Sequence, residues 1–245
     1  GQALFAALEL DGALTAAREQ AGTQILPLRL ESLAPDIQQL PWETLHHPDF
    51  GFLGLHDGFT LSRGAPAGPA ATAVDLPAPE SGPLKVLLFT SLPDDLDAAG
   101  RLDIEEEQAQ VLAALTPLIA EGRVLLEMPD DGRFATLTHF LKTFQPHLVF
   151  LSGHGKYVNE PGQEADPFAI FLCENDHGGS DPVHESRLAD AFLGSRARCV
   201  VLSACESGMT ASDALTTGLM GSLHGAGLPH VIGMRESVLD RAGTL

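Results

Sequence analysis

Cysteine is scarce in this chain. Cys173, Cys199 and Cys205 are the whole set, an odd number without framework spacing. That excludes a disulfide-stapled scaffold and fits a reducing, cytoplasmic setting. Long apolar runs are missing too. Nothing approaches the roughly 18 apolar residues of a membrane-spanning helix, so no membrane partner is expected. The start lacks the basic, apolar and cleavage-site regions of a secretory signal, and it lacks an initiator Met. The last residues, Val238 to Leu245, read as a helix begun and not finished, so the expectation is a domain cut from a longer polypeptide. Cations are few: 14 Lys and Arg stand against 33 Asp and Glu, a net charge of −19. Such a balance repels phosphate backbones, and direct nucleic-acid binding is not expected. No internal repeat is present. The Gly-x-Gly of residues 153–155 has no Gly-Lys-Ser/Thr behind it, so it is not a phosphate loop.

What is present is an ordinary globular composition, 44% hydrophobic and 19% charged, over 245 residues. That length holds one large α/β domain or two small ones. Residues 3–22 carry apolar positions at helical spacing, with Gly22 as a stop. Ile25 to Leu30 alternates with period two and reads as a half-buried strand. Leu40-Pro41-Trp42-Glu43-Thr44-Leu45 starts a short helix, with Trp42 as a core anchor. Phe50–Leu55 and Phe59–Ser62 read as strands joined in a hairpin at Asp57-Gly58. Residues 64–83 are rich in Ala, Pro, Gly and Ser and form a linker or long loop between an N-terminal subregion, 1–63, and a core, 84–245.

From Leu84 onward strands and helices alternate. Strands are expected at Lys85–Phe89, Val124–Leu126, Leu148–Leu151, Phe168–Leu172, at the run ending in Cys205, and at His230–Gly233. Helices are expected at about 103–120, 134–144, 185–193 and 211–226. This order predicts a mainly parallel sheet with helices on both faces.

Two strand ends stand out. Leu148-Val149-Phe150-Leu151-Ser152 runs into Gly153-His154-Gly155, and Val200-Val201-Leu202-Ser203-Ala204 runs into Cys205-Glu206-Ser207-Gly208. In open α/β sheets the crevice lies outside the carboxyl ends of the strands. A cysteine at a strand-to-helix turn is exposed and close to the positive end of the helix, which favours the thiolate. His154 between glycines is a base with an unobstructed ring. The amides of Gly155 and Cys205 are the natural oxyanion donors. Cys173 and Cys199 lie inside apolar runs and read as inert core residues. Cys173 with His177 and His184 is too thin a set for a metal, and no metal or cofactor is expected. Asp94, Asp95 and Asp97 read as a solvated loop rather than a Ca²⁺ site.

These segments resemble the CHAT family, caspase-like peptidase domains. The likeness extends to Leu40-Pro41-Trp42-Glu43, to Pro146-His147, to Gly227-Leu228-Pro229 through Met234, and to Val238-Leu239-Asp240. The spacing of about fifty residues from His154 to Cys205 is also that of caspases. The resemblance implies a caspase-like three-layer sandwich and a Cys–His dyad with no obligatory third residue. It also implies a final helix and strand that this sequence does not contain. It further implies residence in multidomain bacterial proteins beside TPR or other sensor modules, in regulated proteolysis or defence signalling. The expected activity is that of a cysteine endopeptidase acting on a protein or peptide; a catalytically silent protein-binding scaffold is the alternative. Substrate contacts are expected from Ser203, Glu206, Arg101 and Arg235. Arg101 lies among acidic neighbours, and Ser203 stands where arginine-specific relatives carry aspartate. The pocket for the residue preceding the cut is therefore expected to be neutral and fairly apolar.

Overall fold

The computed structural model describes residues 1–32, 34–38, 40–64, 81–96, 104–158, 168–204 and 218–233. The chain divides into two compact units, Gly1–Thr72 and Ala73–Leu245. Most of the expected linker, residues 65–80, lies outside the described residues. Among the described residues no helix is long and apolar enough to cross a membrane.

The first unit holds α1 (Gln2–Ala7), α2 (Asp11–Ala21), β1 (Leu26–Glu31), α3 (Pro35–Gln38), β2 (His46–His47), β3 (Gly51–Phe52) and β4 (Phe59–Gly64). Short 3₁₀ turns occupy Trp42–Thr44 and Leu53–Leu55. Its core is Phe5, Leu14, Trp42, Leu45, Leu53 and Phe59. Trp42 is the expected anchor, and its indole N–H donates to the Ile37 carbonyl at 2.8 Å.

Two expectations fail here. The helical pattern of residues 3–22 is broken, because Glu9 takes a left-handed conformation at φ 52°. At about 100° per residue, an unbroken helix would point Phe5 and Leu14 to opposite sides, and the break lets both enter one core. The hairpin at Asp57-Gly58 is also absent. Neither residue has the positive φ that a tight hairpin turn demands. Instead the Gly58 carbonyl accepts from Leu26 N–H at 2.9 Å. This leads β4 alongside β1 in parallel, from Leu26↔Phe59 to Glu31↔Gly64, and buries Phe59. β3 pairs back onto β2.

The second unit contains β5 (Leu84–Thr90), α4 (Ile104–Ala120), β6 (Val124–Glu127), α5 (Phe134–Thr143), β7 (Leu148–Ser152) and β8 (His154–Val158). It continues with β9 (Phe168–Glu174), β10 (Ser180–His184), α6 (Glu185–Phe192), β11 (Cys199–Ser203), α7 (Gly218–Gly225) and β12 (His230–Gly233). Five strands form one parallel sheet in the order β12-β11-β7-β5-β6. One face, with Leu87, Phe89, Val149, Leu151, Val200 and Leu202, packs on α5, α6 and α7. Each helix offers a pair four residues apart: Leu137 with Leu141, Leu188 with Phe192, Leu219 with Leu223. The other face carries Val86, Leu88 and Thr90, and Gln108 of α4 donates to Thr90 Oγ1 at 3.0 Å. Right-handed crossovers require this split, since β5 to β6 runs one way across the sheet and β7 to β11 the other. The expected three layers, a parallel sheet with helices on both faces, are what the structure has.

The strand at Phe168 does not join that sheet. β9 lies in a second, antiparallel sheet of order β10-β9-β8. Its alternate residues Ala169, Phe171 and Cys173 are fully buried and enter the same core as the helices.

Candidate active site at the carboxyl end of the parallel sheet

The order in which the chain lays down its strands reverses between β5 and β7, so the crevice opens where these two parallel strands end. β7 and β11 are adjacent and in register up to Ser152↔Ser203. The pairing continues one step beyond the strands, with Gly153 N–H donating to the Ser203 carbonyl at 3.1 Å. On the other side, Ser91 N–H donates to the Ser152 carbonyl at 2.9 Å. Thr90, Ser152 and Ser203 thus form one hydroxyl row across three strands. Ser91 and Ser152 are fully buried, and among the described residues neither Oγ has a hydrogen-bond partner. Buried, unpaired hydroxyls are costly, so their presence at the strand ends is not explained by core packing.

His154 is the first residue of β8 and stands opposite Leu172, with Gly155 opposite Phe171. The chain passes from one sheet to the other within Gly153. A Cβ there would lie 2.9 Å from Phe171 Cζ and 2.9 Å from the Ser91 carbonyl oxygen. Glycine is needed at this point for close approach. His154 is half-buried, and its Nε2 is shielded from solvent. Ser203 ends β11 half-buried, and Ala204 is buried after it. Cys205, Glu206, Arg101 and Arg235 lie outside the described residues.

The other two thiols face away from this chemistry. Cys173 is fully buried in the core, and burial pushes its thiol up to about 12, with the Asp181 charge adding to the effect. Cys199 begins β11, at the opposite end of the sheet, and burial raises its pKa as well. Cys173, His177 and His184 do not converge: His177 is exposed on a turn, while His184 caps α6 by accepting Ser186 N–H. Among the described residues no group of three could hold a metal. Asp95 turns its carboxylate on Ser180, accepting from its N–H at 3.0 Å and its hydroxyl at 2.6 Å, which holds its pKa below the ordinary value.

Sequence reasoning missed Glu174, the last residue of β9. Its Oε1 accepts from Leu92 N–H and its Oε2 from Gly132 N–H, both at 3.0 Å. Its own N–H donates to the Gly132 carbonyl at 2.9 Å. One carboxylate therefore ties the second sheet to the chain leaving β5 and to the turn before α5. Nearby, Arg133 pairs with Asp131 at 2.6 Å and Asp176 at 3.2 Å, so its charge is engaged. That guanidinium draws the Asp131 pKa down to about 2.

A family model for the CHAT domain matches residues 2–245. No curated protein shows significant similarity to the chain. Among solved structures, the crystal structure of a protein from Geobacter sulfurreducens is similar at 20% identity and a TM-score of 0.33. The match covers 52% of this chain and 52% of that one, so it spans about half the length of the solved protein.

Proposed function

The chain belongs to the CHAT domain family, a caspase-like, peptidase-related family, and from this premise we propose that it is a cysteine endopeptidase with Cys205 as nucleophile and His154 as base. One observation carries the reading. β7 and β11 are in-register neighbours that leave the sheet side by side, bonded through Gly153 and Ser203. Position 154 follows Gly153 directly, and position 205 lies two residues past Ser203.

In this mechanism Cys205 Sγ, its proton passed to His154, attacks the scissile carbonyl carbon. His154 then returns the proton to the leaving amine, and a water activated by His154 hydrolyses the thioester. The N–H groups of Gly155 and Cys205 hold the oxyanion. β8 is an edge of its sheet among the described residues, and alternate N–H groups along such an edge point away from the neighbouring strand. Ser203 and Glu206 line the approach to the nucleophile. With Arg101 and Arg235 they shape a pocket that favours an uncharged residue before the cut. The substrate is a protein or peptide, and control comes from sensor or TPR-type modules in the same chain or complex, in the cytoplasm.

An electrophilic peptide probe tests the assignment. Cys205 is expected to be labelled, and labelling is expected to vanish in Cys205→Ala. In His154→Ala, kcat is expected to fall by about 10²–10⁴-fold, the usual worth of a positioned base. Labelling that survives in both variants, or turnover by Cys205→Ala, removes the dyad. Neither labelling nor cleavage by the wild type under any activating condition makes the domain a protein-binding scaffold instead.

A further inference from the structure

Among the described residues β8 is an edge of the antiparallel sheet, and it begins with His154. On its neighbour β9, Ala169, Phe171 and Cys173 go to the core. Phe168, Ile170 and Leu172 therefore lie on the opposite face, where they are half-buried. Residues directly opposite one another across a ladder share a face. Val158, Lys156 and His154 stand opposite these three, so they lie on that outer face with them. His154 and Lys156, two residues apart on one strand, are separated by about 7 Å.

Lys156 is exposed, and among the described residues it enters no ion pair. Carboxylates outnumber Lys and Arg by 33 to 14, so a lysine left without one is not short of candidates. Beside it runs the apolar strip of Phe168, Ile170 and Leu172, continuous with the face that carries His154. An edge strand also offers alternate backbone N–H and C=O groups to an added strand. We propose that the substrate chain adds to the outer edge of β8, antiparallel to it, with an acidic side chain opposite Lys156 and an apolar one opposite Val158. The antiparallel direction continues the pattern of β10, β9 and β8. The acidic residue then lies on the amino side of the cut, two residues before the one held against His154, and the apolar residue lies two before that. The net charge of −19 repels such a segment at long range, but charges beyond about 8 Å are screened at physiological salt, and the contact at Lys156 is local. This rests on the peptidase reading of His154 and Cys205 and names a substrate class for it.

The test uses the full chain and extended peptides with glutamate, glutamine or lysine placed in turn at each residue flanking the cut. Cleavage is followed in the wild type, and binding by fluorescence anisotropy in Cys205→Ala. Glutamate at the position opposite Lys156 is expected to bind about two- to fivefold tighter than glutamine, the worth of an opposite-charge pair across a ladder. Lys156→Glu is expected to reverse the order, so that lysine becomes the preferred residue there. Amides of residues 154–158 should exchange hydrogen more slowly when the peptide is bound, as pairing with an added strand demands.

A glutamate preference that survives Lys156→Glu, or that falls on the carboxyl side of the cut, overturns the proposal. Binding without added protection in β8 overturns it as well. A lysine on an edge strand also blocks unwanted pairing. If that is its whole role, Lys156→Glu changes no peptide's affinity, and the proposal falls. If the wild type cleaves nothing, binding and exchange in Cys205→Ala decide alone. A glutamate preference that reverses in Lys156→Glu, with β8 protected, upholds the strand addition while the peptidase reading falls; no reversal overturns it.

Discussion

A methyl group on Gly153 has nowhere to go, since one of its two close neighbours is the Ser91 carbonyl, part of the backbone. Overpacking of this kind costs about 1–3 kcal/mol. Gly153→Ala is therefore expected to lower the urea midpoint by that equivalent and to displace His154, reducing cleavage more than stability. Wild-type turnover in this variant would mean that the strand exit tolerates a shift. The thiols give a second test at this scale. Iodoacetamide at pH 8 followed by mass spectrometry should modify Cys205 first and Cys199 slowly, and should reach Cys173 only after unfolding. The sign for stability follows from the same burial. Burial pushes the folded Cys173 thiol up to about 12 from an ordinary 9.0, so its contribution is complete below pH 9.0 and is lost as pH rises towards about 12. Cys173→Ala should flatten that alkaline loss while costing about 1 kcal/mol in packing.

At the scale of elements, Glu174 ties the antiparallel sheet to the chain leaving β5 and to the turn before α5 through two long-range bonds. Removing a carboxylate that satisfies two amides leaves both donors wanting, at about 1–3 kcal/mol for the first that stays buried. Glu174→Ala is expected to lose that much in urea denaturation, with faster hydrogen exchange at Leu92 and Gly132 in particular. Glu174→Gln retains one acceptor oxygen and should fall between. Unchanged exchange at both amides would show that the clamp is not what orders these turns.

Among the described residues the molecule has two cores, one around Trp42 and one around the parallel sheet. Trp42 is the single tryptophan of the chain, so its fluorescence reads the first unit alone. Leu137 is fully buried in the second core, and Leu→Ala at such a site costs about 2–5 kcal/mol. Leu137→Ala should move the far-UV circular dichroism transition to lower urea while the Trp42 transition stays in place. A joint shift of both signals would mean that the units unfold as one.

Strands buried on both faces must be apolar throughout, so Leu84–Thr90, Leu148–Ser152 and Cys199–Ser203 were legible as sheet strands from residue type alone. The helices were legible for a similar reason, because each must present apolar residues four apart to that sheet. So were the two abrupt strand ends at Ser152 and Ser203. Edge strands bury little and leave no such mark: β8 holds Gly155 and Lys156, and β10 holds Pro182. Asp57-Gly58 has the local chemistry of a hairpin, yet β4 pairs with β1 across a long stretch of chain. Glu174 carries no local signal, since the two amides it grips lie 82 and 42 residues away. Local sequence determines which faces must be hidden from water. Which strands become neighbours, and so whether β7 and β11 leave the sheet side by side, depends on packing between segments far apart in the chain, and only the tertiary structure decides it.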